Sequence, residues 1–460
     1  MRKQHFQEVT PSECRASLGD PERVCTAYKI GVLGVLLLSF GLACSRQPSH
    51  KPVTITFLDL EWDIHDRLPG LAQDLQEFTR ETGIQVKRLP GPDGSLNQLA
   101  LWRQLLEKGN ATPDVCNIDV VWSGILSPYL MDLKPYLAAE ASSQDPAVVA
   151  SYTVRDKLVA VPHHAYVGVL FYRNDLLRRY GFREPPKTWE ELETIALRIQ
   201  MGERAQGRKE FWGYVWEGAP DEDLTCGALE WQVSTGGGRI IEEDQTISVN
   251  NQIAIRSWLR AKNWAGSISP HGVAAYSKWD AENAWGAGKA AFLRGWTSDY
   301  SLITLHPPPA RATQYGVTSV PGSEGVRVST LGGNGLAVPR RSAHPREAME
   351  MIRFLRRRDA QLRSARDHSE VPKELELYEL PRILNPFPQL ANLQQPGGGV
   401  VARPSVVTGQ KYEEVSRAFI RQVHAVLTGE KNPSLAAAAL EQELVAITGF
   451  RTGPPSKRNW

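Results

Sequence analysis

Carboxylates and indoles stand together at two places where apolar runs of this chain end. Asp59, Glu61 and Trp62 follow the run at 53–57 (VTITF); Asp119 and Trp122 follow the run at 115–118 (VCNI). A carboxylate accepts hydrogen bonds from two neighbouring hydroxyls, and such charge-assisted bonds are the stronger kind. An indole offers a flat face to the C–H side of a pyranose ring. The combination suits a neutral polyhydroxyl ligand. Plainer roles are open to each residue: Asp119 as a helix cap, Trp62 or Trp122 as core. Two of Asp59, Glu61 and Asp119 also suit a hydrolase pair, which needs carboxyls roughly 5–10 Å apart across a glycosidic bond.

Other chemistry finds little support. A phosphate-binding loop ending at Gly288-Lys289 needs glycine at 283, where Asn283 stands. A calcium loop starting at Asp59 fails at its sixth place, Ile64, and its twelfth, Gly70. Neighbouring His163 and His164 point to opposite faces of an extended segment, which is poor geometry for one metal. One is expected to line a cleft and the other to be structural. The glycines at 236–238 lack the trailing glycine of a dinucleotide fingerprint. No cofactor, metal or catalytic residue is expected, which weighs against an enzyme.

The elements that must carry these residues are legible. The 53–57 run alternates as a strand, Leu71, Leu75 and Phe78 recur at helical spacing, and Gly83 ends that helix. Ile84 and Val86 alternate again, and 115–118 is a buried strand. This β-α-β-α-β order predicts a parallel, doubly wound sheet, whose ligands sit outside the carboxyl ends of the strands. Strands are expected at 159–161, 167–172, 212–216, 315–320 and 330–338. Thr188 to Glu191 forms a capping box for a helix carrying Leu192, Ile195 and Ile199. Further helices are expected at 253–264, after Pro345, through Val415, Phe419 and Val426, and at 435–447. The stretch 381–399 reads as a long loop, and the tail after Gly449 as loose.

The chain has 460 residues, enough for two to four domains. Lys and Arg number 53 against 51 Asp and Glu, so nothing drives it toward nucleic acid or anionic lipid. A hydrophobic share of 42% with 23% charged residues excludes wholesale disorder and a polytopic membrane protein. Five cysteines exclude a disulfide-dense scaffold. Cys116 and Cys226 either pair or stand as two isolated buried thiols.

Residues 30–43 (IGVLGVLLLSFGLA) are uncharged, too short for a permanent span of about 20 residues, and follow Arg23 and Lys29. They have the layout of an export signal, ending in small residues before Cys44. The junction resembles the lipobox of bacterial lipoproteins, with Gly41 where leucine is usual. That resemblance implies a signal over 1–44, lipidation of Cys44, a polar tether over 45–51 and anchoring in the periplasm or at the cell surface. Glu8, Glu13, Asp20 and Glu22 lie upstream, where signals avoid acids, and a start near Val24 removes them.

Six segments resemble, in order, the sugar-binding proteins of bacterial ABC importers, the maltose- and trehalose-binding group. They are PDVCNIDVVW at 113–122, VP at 161–162 leading into GVLFYRNDLLRRYG at 168–181, PKTWEEL at 186–192, GKAAFLRGW at 288–296, GGNGLAV at 332–338 and RPSVVTGQKY at 403–412. The resemblance covers roughly 52–450. It implies a two-lobe α/β periplasmic-binding-protein fold with a hinge and an interlobar cleft. Lobe one would be 52–162 plus 316–340, lobe two 163–315 plus 341–450, and 451–460 a tail. It implies ligand contacts from Glu61, Asp119, Trp296, Gly333, Asn334 and Arg403, beside the rim residue Trp122. Tyr166 stands where the family often places an aspartate on the sugar; a phenol donates as well as accepts, so the sugar or its orientation differs. Asn334 replaces a frequent larger aromatic, which widens the pocket. The implied activity is capture of a mono- or oligosaccharide by a monomeric receptor for an ABC permease, with no nucleic-acid partner. The alternatives are a non-sugar solute in the same fold, or a periplasmic glycoside hydrolase.

Overall fold

The computed structural model describes residues 52–59, 70–92, 95–108, 113–142, 146–299, 315–323, 325–362 and 398–456. The signal segment with Cys44, the tether and Glu61 with Trp62 lie outside the described residues. In chain order the elements used below are β1 (Thr54–Asp59), α1 (Gly70–Thr82), β2 (Gln85–Pro90), α2 (Ser95–Lys108), β3 (Val115–Asp119) and α3 (Trp122–Leu126). A short ribbon, β4 (Thr153–Val154) with β5 (Lys157–Leu158), precedes the long strand β6 (Val161–Arg173). Then come α4 (Trp189–Ala205), β7 (Trp212–Val215), α5 (Glu222–Val233), α6 (Gln252–Trp264), α7 (Lys278–Gly286), β8 (Ala290–Trp296) and β9 (Tyr315–Ser319). The chain closes with β10 (Arg327–Ala337), α8 (Pro345–Leu355), β11 (Gly398–Val401), α9 (Tyr412–Leu427) and α10 (Pro433–Thr448).

Local signals account for many boundaries. Gly83, at φ +76°, closes α1 through its N–H to Thr79 O at 2.9 Å, a conformation that costs glycine little. The Thr188 hydroxyl accepts from Glu191 N at 3.1 Å and Glu191 returns the bond, so the expected capping box starts α4. The loose tail is corrected: Arg451 O accepts Ile247 N at 2.8 Å and Gly453 N donates to Ile247 O at 3.1 Å. Those backbone bonds, with Arg451 on Asp244 at 2.8 Å, pin 451–453 to lobe two.

Among the described residues, nine strands form one sheet in the order β2-β1-β3-β10-β6-β8-β7, with β11 added to β10 and β9 to β6. The parallel order expected for the strands of 53–118 is found, within a sheet that is mixed as a whole. β1, β2 and β3 run parallel, but β10 is antiparallel to β3 and to β6, and β6 is antiparallel to β8 and β9. The strand expected at 167–172 is the second half of one 13-residue strand that starts at Val161, because Pro162 and His164 to Tyr166 stay extended and pair with β10, while 159 and 160 lie before it.

That long strand creates the two lobes. Residues 161–167 of β6 pair with β10, whereas 168–173 pair with β8 and β9. β10 makes the complementary exchange, pairing 327–330 with β11 and 334–337 with β3. Lobe one buries Ile55, Phe57, Phe78, Trp102, Ile118 and Leu336. Lobe two buries Leu170, Trp189, Tyr214, Trp231, Trp264 and Phe419 on one sheet face, and Val169, Phe171, Trp285 and Val317 on the other. Helices on both faces explain why β6 reads as a continuous apolar run there.

β9 joins lobe two, where Val317 packs with Phe171. α8 returns to lobe one, burying Met351, Ile352 and Phe354, the last edge-on to Phe78 at 5.4 Å. The chain crosses again after Arg403: Ser405 donates to Val121 O of lobe one, and α9 begins with Tyr412 in the lobe-one core before burying Val415 and Phe419 in lobe two.

Candidate functional site

Where β3, β10 and β6 lie side by side, the register places Asn334 opposite both Asp119 and His164, and Gly332 opposite Tyr166. One strand further, Gly168 faces Trp296. Paired residues share a sheet face, so Asp119, Asn334, His164, Tyr166 and Trp296 form one polar and aromatic strip across the lobe junction. Gly332 has to lack a side chain, since a Cβ there falls 2.7 Å from the Trp296 ring. Gly333 sits at φ +124° with its O accepting Val120 N at 2.9 Å; a Cβ would lie 2.1 Å from His164 O. The glycines of the GGNG segment thus let two strands and an indole close up around Asn334. Asn334 is buried, and its Oδ1 has no partner among the described residues.

Arg403 ties the lobes across this strip. Its Nη2 lies 3.8 Å from Asp119 Oδ1, and its Nη1 donates to Glu222 Oε1 at 2.8 Å. Glu222, at the start of α5, also accepts from Tyr412 and from Ser416, the latter at 2.5 Å. Glu222 is thereby committed to holding Arg403. The Asp119 carboxylate accepts Val121 N at 2.9 Å, leaving its other oxygen for a hydroxyl donor. Asp223 stands beside them, and its carboxylate makes no hydrogen bond or ion pair with any described residue.

Burial pushes the Asp119 carboxyl up to about 6, with Glu222 and Asp223 pushing the same way and Arg403 and the Val121 N–H opposing. The ordinary value is near 3.9, so the folded chain holds this proton more tightly than the unfolded one. For this group, folding is therefore favoured as pH falls through about 6, whereas a ligand that needs the carboxylate loses affinity over the same range. Titrations between pH 5 and 8 should show that loss, and Asp119→Asn should flatten it; a wild-type affinity unchanged with pH contradicts the assignment.

Trp296 is 7% exposed, with the Arg294 guanidinium 4.1 Å from its ring centroid. The Trp296 backbone N–H donates to Asp299 Oδ2 at 2.6 Å, and Asp299 pairs with Lys278 at 2.8 Å. Trp122 is 2% exposed and edge-on to Trp102 at 5.8 Å, so it is mainly core, although its edge reaches a cavity of about 910 Å³. That cavity lies between α2 and α3 of lobe one and the starts of α5 and α7 of lobe two.

Of the expected residues, Asp119, Tyr166, Trp296, Gly333, Asn334 and Arg403 are brought together, Trp122 flanks them, and Glu61 lies outside the described residues. Sequence reasoning missed Glu222 and Asp223. Their signal, three acids at 221–223 before a helix, reads first as dipole stabilisation. Asp59 is buried and paired with Arg88 at 2.8 Å, which removes it from any hydrolytic pair. Cys116 and Cys226 are both free and buried, the second of the two readings. Among the described residues no group of His, Cys, Asp and Glu is disposed to hold a metal.

A mixed sheet shared by two cores, with polar and aromatic groups at its exchange point, is a two-lobe α/β binding-protein fold. The chain belongs to the bacterial extracellular solute-binding protein family, whose sequence model matches residues 62–362. A probable ABC transporter-binding protein of Deinococcus radiodurans is 41% identical over 374 residues, covering 81% of this chain and 89% of the relative. The maltose-bound MalE3 of T. maritima superposes with a TM-score of 0.75 at 29% identity, over 86% of this chain and all (100%) of that one. A solute-binding protein of Thermotoga lettingae bound with α-D-tagatose gives a TM-score of 0.75 at 20% identity, over 86% and 100%. Members bind small solutes outside the cytoplasm and work with ABC permeases; the family serves transport and is not enzymatic.

Proposed function

We propose that the chain captures a sugar, a mono- or oligosaccharide, between its lobes and delivers it unchanged to an ABC permease. The strip across the lobe junction carries this reading: a half-buried carboxylate, Asp119, and the Arg403 guanidinium meet a buried amide, Asn334, beside Trp296 and Tyr166. Hydroxyls both donate and accept, so they match a set that mixes acceptors with donors. Carboxylates alone would suit a cation and arginines alone a phosphate. Asp119, Asn334 and Arg403 bind hydroxyls, Trp296 and Tyr166 offer ring faces, Gly333 keeps the floor open, Trp122 borders the pocket, and Glu61 adds a second lobe-one carboxylate. A ligand touching both lobes favours the closed arrangement by its differential affinity. The maltose held by the 29%-identical solved neighbour supports a carbohydrate. Thermal shift against sugars, polyols, polyamines and phosphate esters tests this: stabilisation by sugars is expected, and stabilisation by polyamines or phosphate esters alone contradicts it.

The receptor acts as a monomer, anchored through Cys44. The apolar run at 30–43 before Cys44 supports the anchor, and no helix among the described residues is long and apolar enough to cross a membrane. Expressed from its own gene, the wild-type chain should sediment with membranes and the Cys44→Ser chain should not; equal distribution contradicts the anchor.

A further inference from the structure

The cavity beside the junction is long, and its length bears on the size of the ligand. One wall is a single face of α9, on which Glu413, Arg417, Arg421 and Ala425 recur every four residues. From 413 to 425 the helix rises about 18 Å. With bonds of about 1.5 Å, each linked pyranose adds roughly 5 Å, so the wall matches three to four rings. The volume, about 910 Å³, is near the top of the roughly 300–1,000 Å³ usual for small-ligand sites. Glu222, which holds Arg403 beside Asp119, also lines the cavity.

A second aromatic platform lines the same cavity. Trp279, 48% exposed, lines the cavity at the start of α7. It is rigidly presented. Ser277 and Asp280 form a capping box, with Ser277 N donating to Asp280 Oδ2 at 2.9 Å. Adjacent Lys278 is paired with Asp299, which holds the Trp296 amide. The two indoles are therefore held by one ion-paired relay, Trp296 at the junction and Trp279 beyond it.

We infer that the ligand is an oligosaccharide lying along α9, with Trp279 stacking on a ring beyond the one bound at Asp119 and Trp296. This rests on the carbohydrate reading of the cleft. The test is titration calorimetry of glucose, mannose and galactose, and of their linear oligomers, against the wild-type chain and Trp279→Ala. Linear oligomers of at least one of these sugars should bind at least about tenfold tighter than its monomer, and Trp279→Ala should cut that ratio about tenfold, in keeping with the loss of one stacking contact. An unchanged melting temperature will show that the variant folds, as its half-exposed position predicts. Monomers binding as tightly as oligomers, or Trp279→Ala leaving the ratio unchanged, overturns this inference and leaves the carbohydrate reading standing. If no sugar of either size binds, both fall.

Discussion

Arg294→Met should destabilise the protein by about 3–5 kcal/mol, the usual cost of removing one partner from a buried ion pair. Arg294 is 2% exposed and donates to Glu217 at 2.7 Å and to Glu230 at 3.1 and 2.8 Å. Without the guanidinium, two buried carboxyls face each other with nothing cationic between them. Burial already holds Glu217 well above the usual carboxylate range against the pull of Arg294. Methionine roughly fills the volume, so the cost is electrostatic, and the Arg294→Met/Glu217→Gln pair should recover part of it. The melting temperature should fall by roughly 6–20 °C. The same change removes the cation beside the Trp296 ring, so sugar affinity should drop in whatever protein remains folded. A melting temperature within a degree or two of wild type contradicts the buried-network account.

Gly333→Ala should be nearly as severe and should act at the junction itself. Its Cβ would sit 2.1 Å from the His164 carbonyl oxygen at φ +124°, and backbone cannot step aside as a side chain can. Gly83 is the control: its φ is +76° with nothing within 4 Å, so Gly83→Ala carries only the left-handed penalty of about 1–2 kcal/mol. Gly333→Ala combines strain with displacement of β6 from β10 and should cost about 3 kcal/mol or more. Loss of Asp119–Asn334–His164 alignment should abolish measurable sugar binding. Equal melting temperatures for the two alanine variants contradict a close strand approach at 333.

What could be read beforehand was local. The Thr188–Glu191 box, the Gly83 stop and the carboxylate ending the VCNID strand each depend on a few neighbouring residues, and each appears where periodicity and capping put it. The crossing strand was less legible because Pro162 and two histidines interrupt the alternation that marks a strand. Only pairing with β10, far along the chain, keeps them extended. The return of α8 to lobe one is likewise a tertiary fact: Met351, Ile352 and Phe354 show an apolar stripe but not which core receives it. In the site, Asp119 was legible because a carboxylate at a strand end is conspicuous, whereas Trp296 was pointed to only by the resemblance of the GKAAFLRGW segment. Glu222 and Asp223 were not, since acids at a helix start have a sufficient local explanation. The bond from Arg403 to Glu222 spans 181 positions and leaves no trace in spacing. Trp122, open by its type to a rim or a core role, packs against Trp102 in the core and also lines the cavity.

The most direct test of the central claim is calorimetric titration of the best sugar from the thermal-shift panel into wild-type protein and Asp119→Asn at pH 7.5. Binding by the wild type with at least about a tenfold loss in the variant is expected, since a charged partner contributes roughly 1.5–3 kcal/mol per hydrogen bond. Equal affinity in the two proteins, or silence of the wild type toward every carbohydrate, contradicts it.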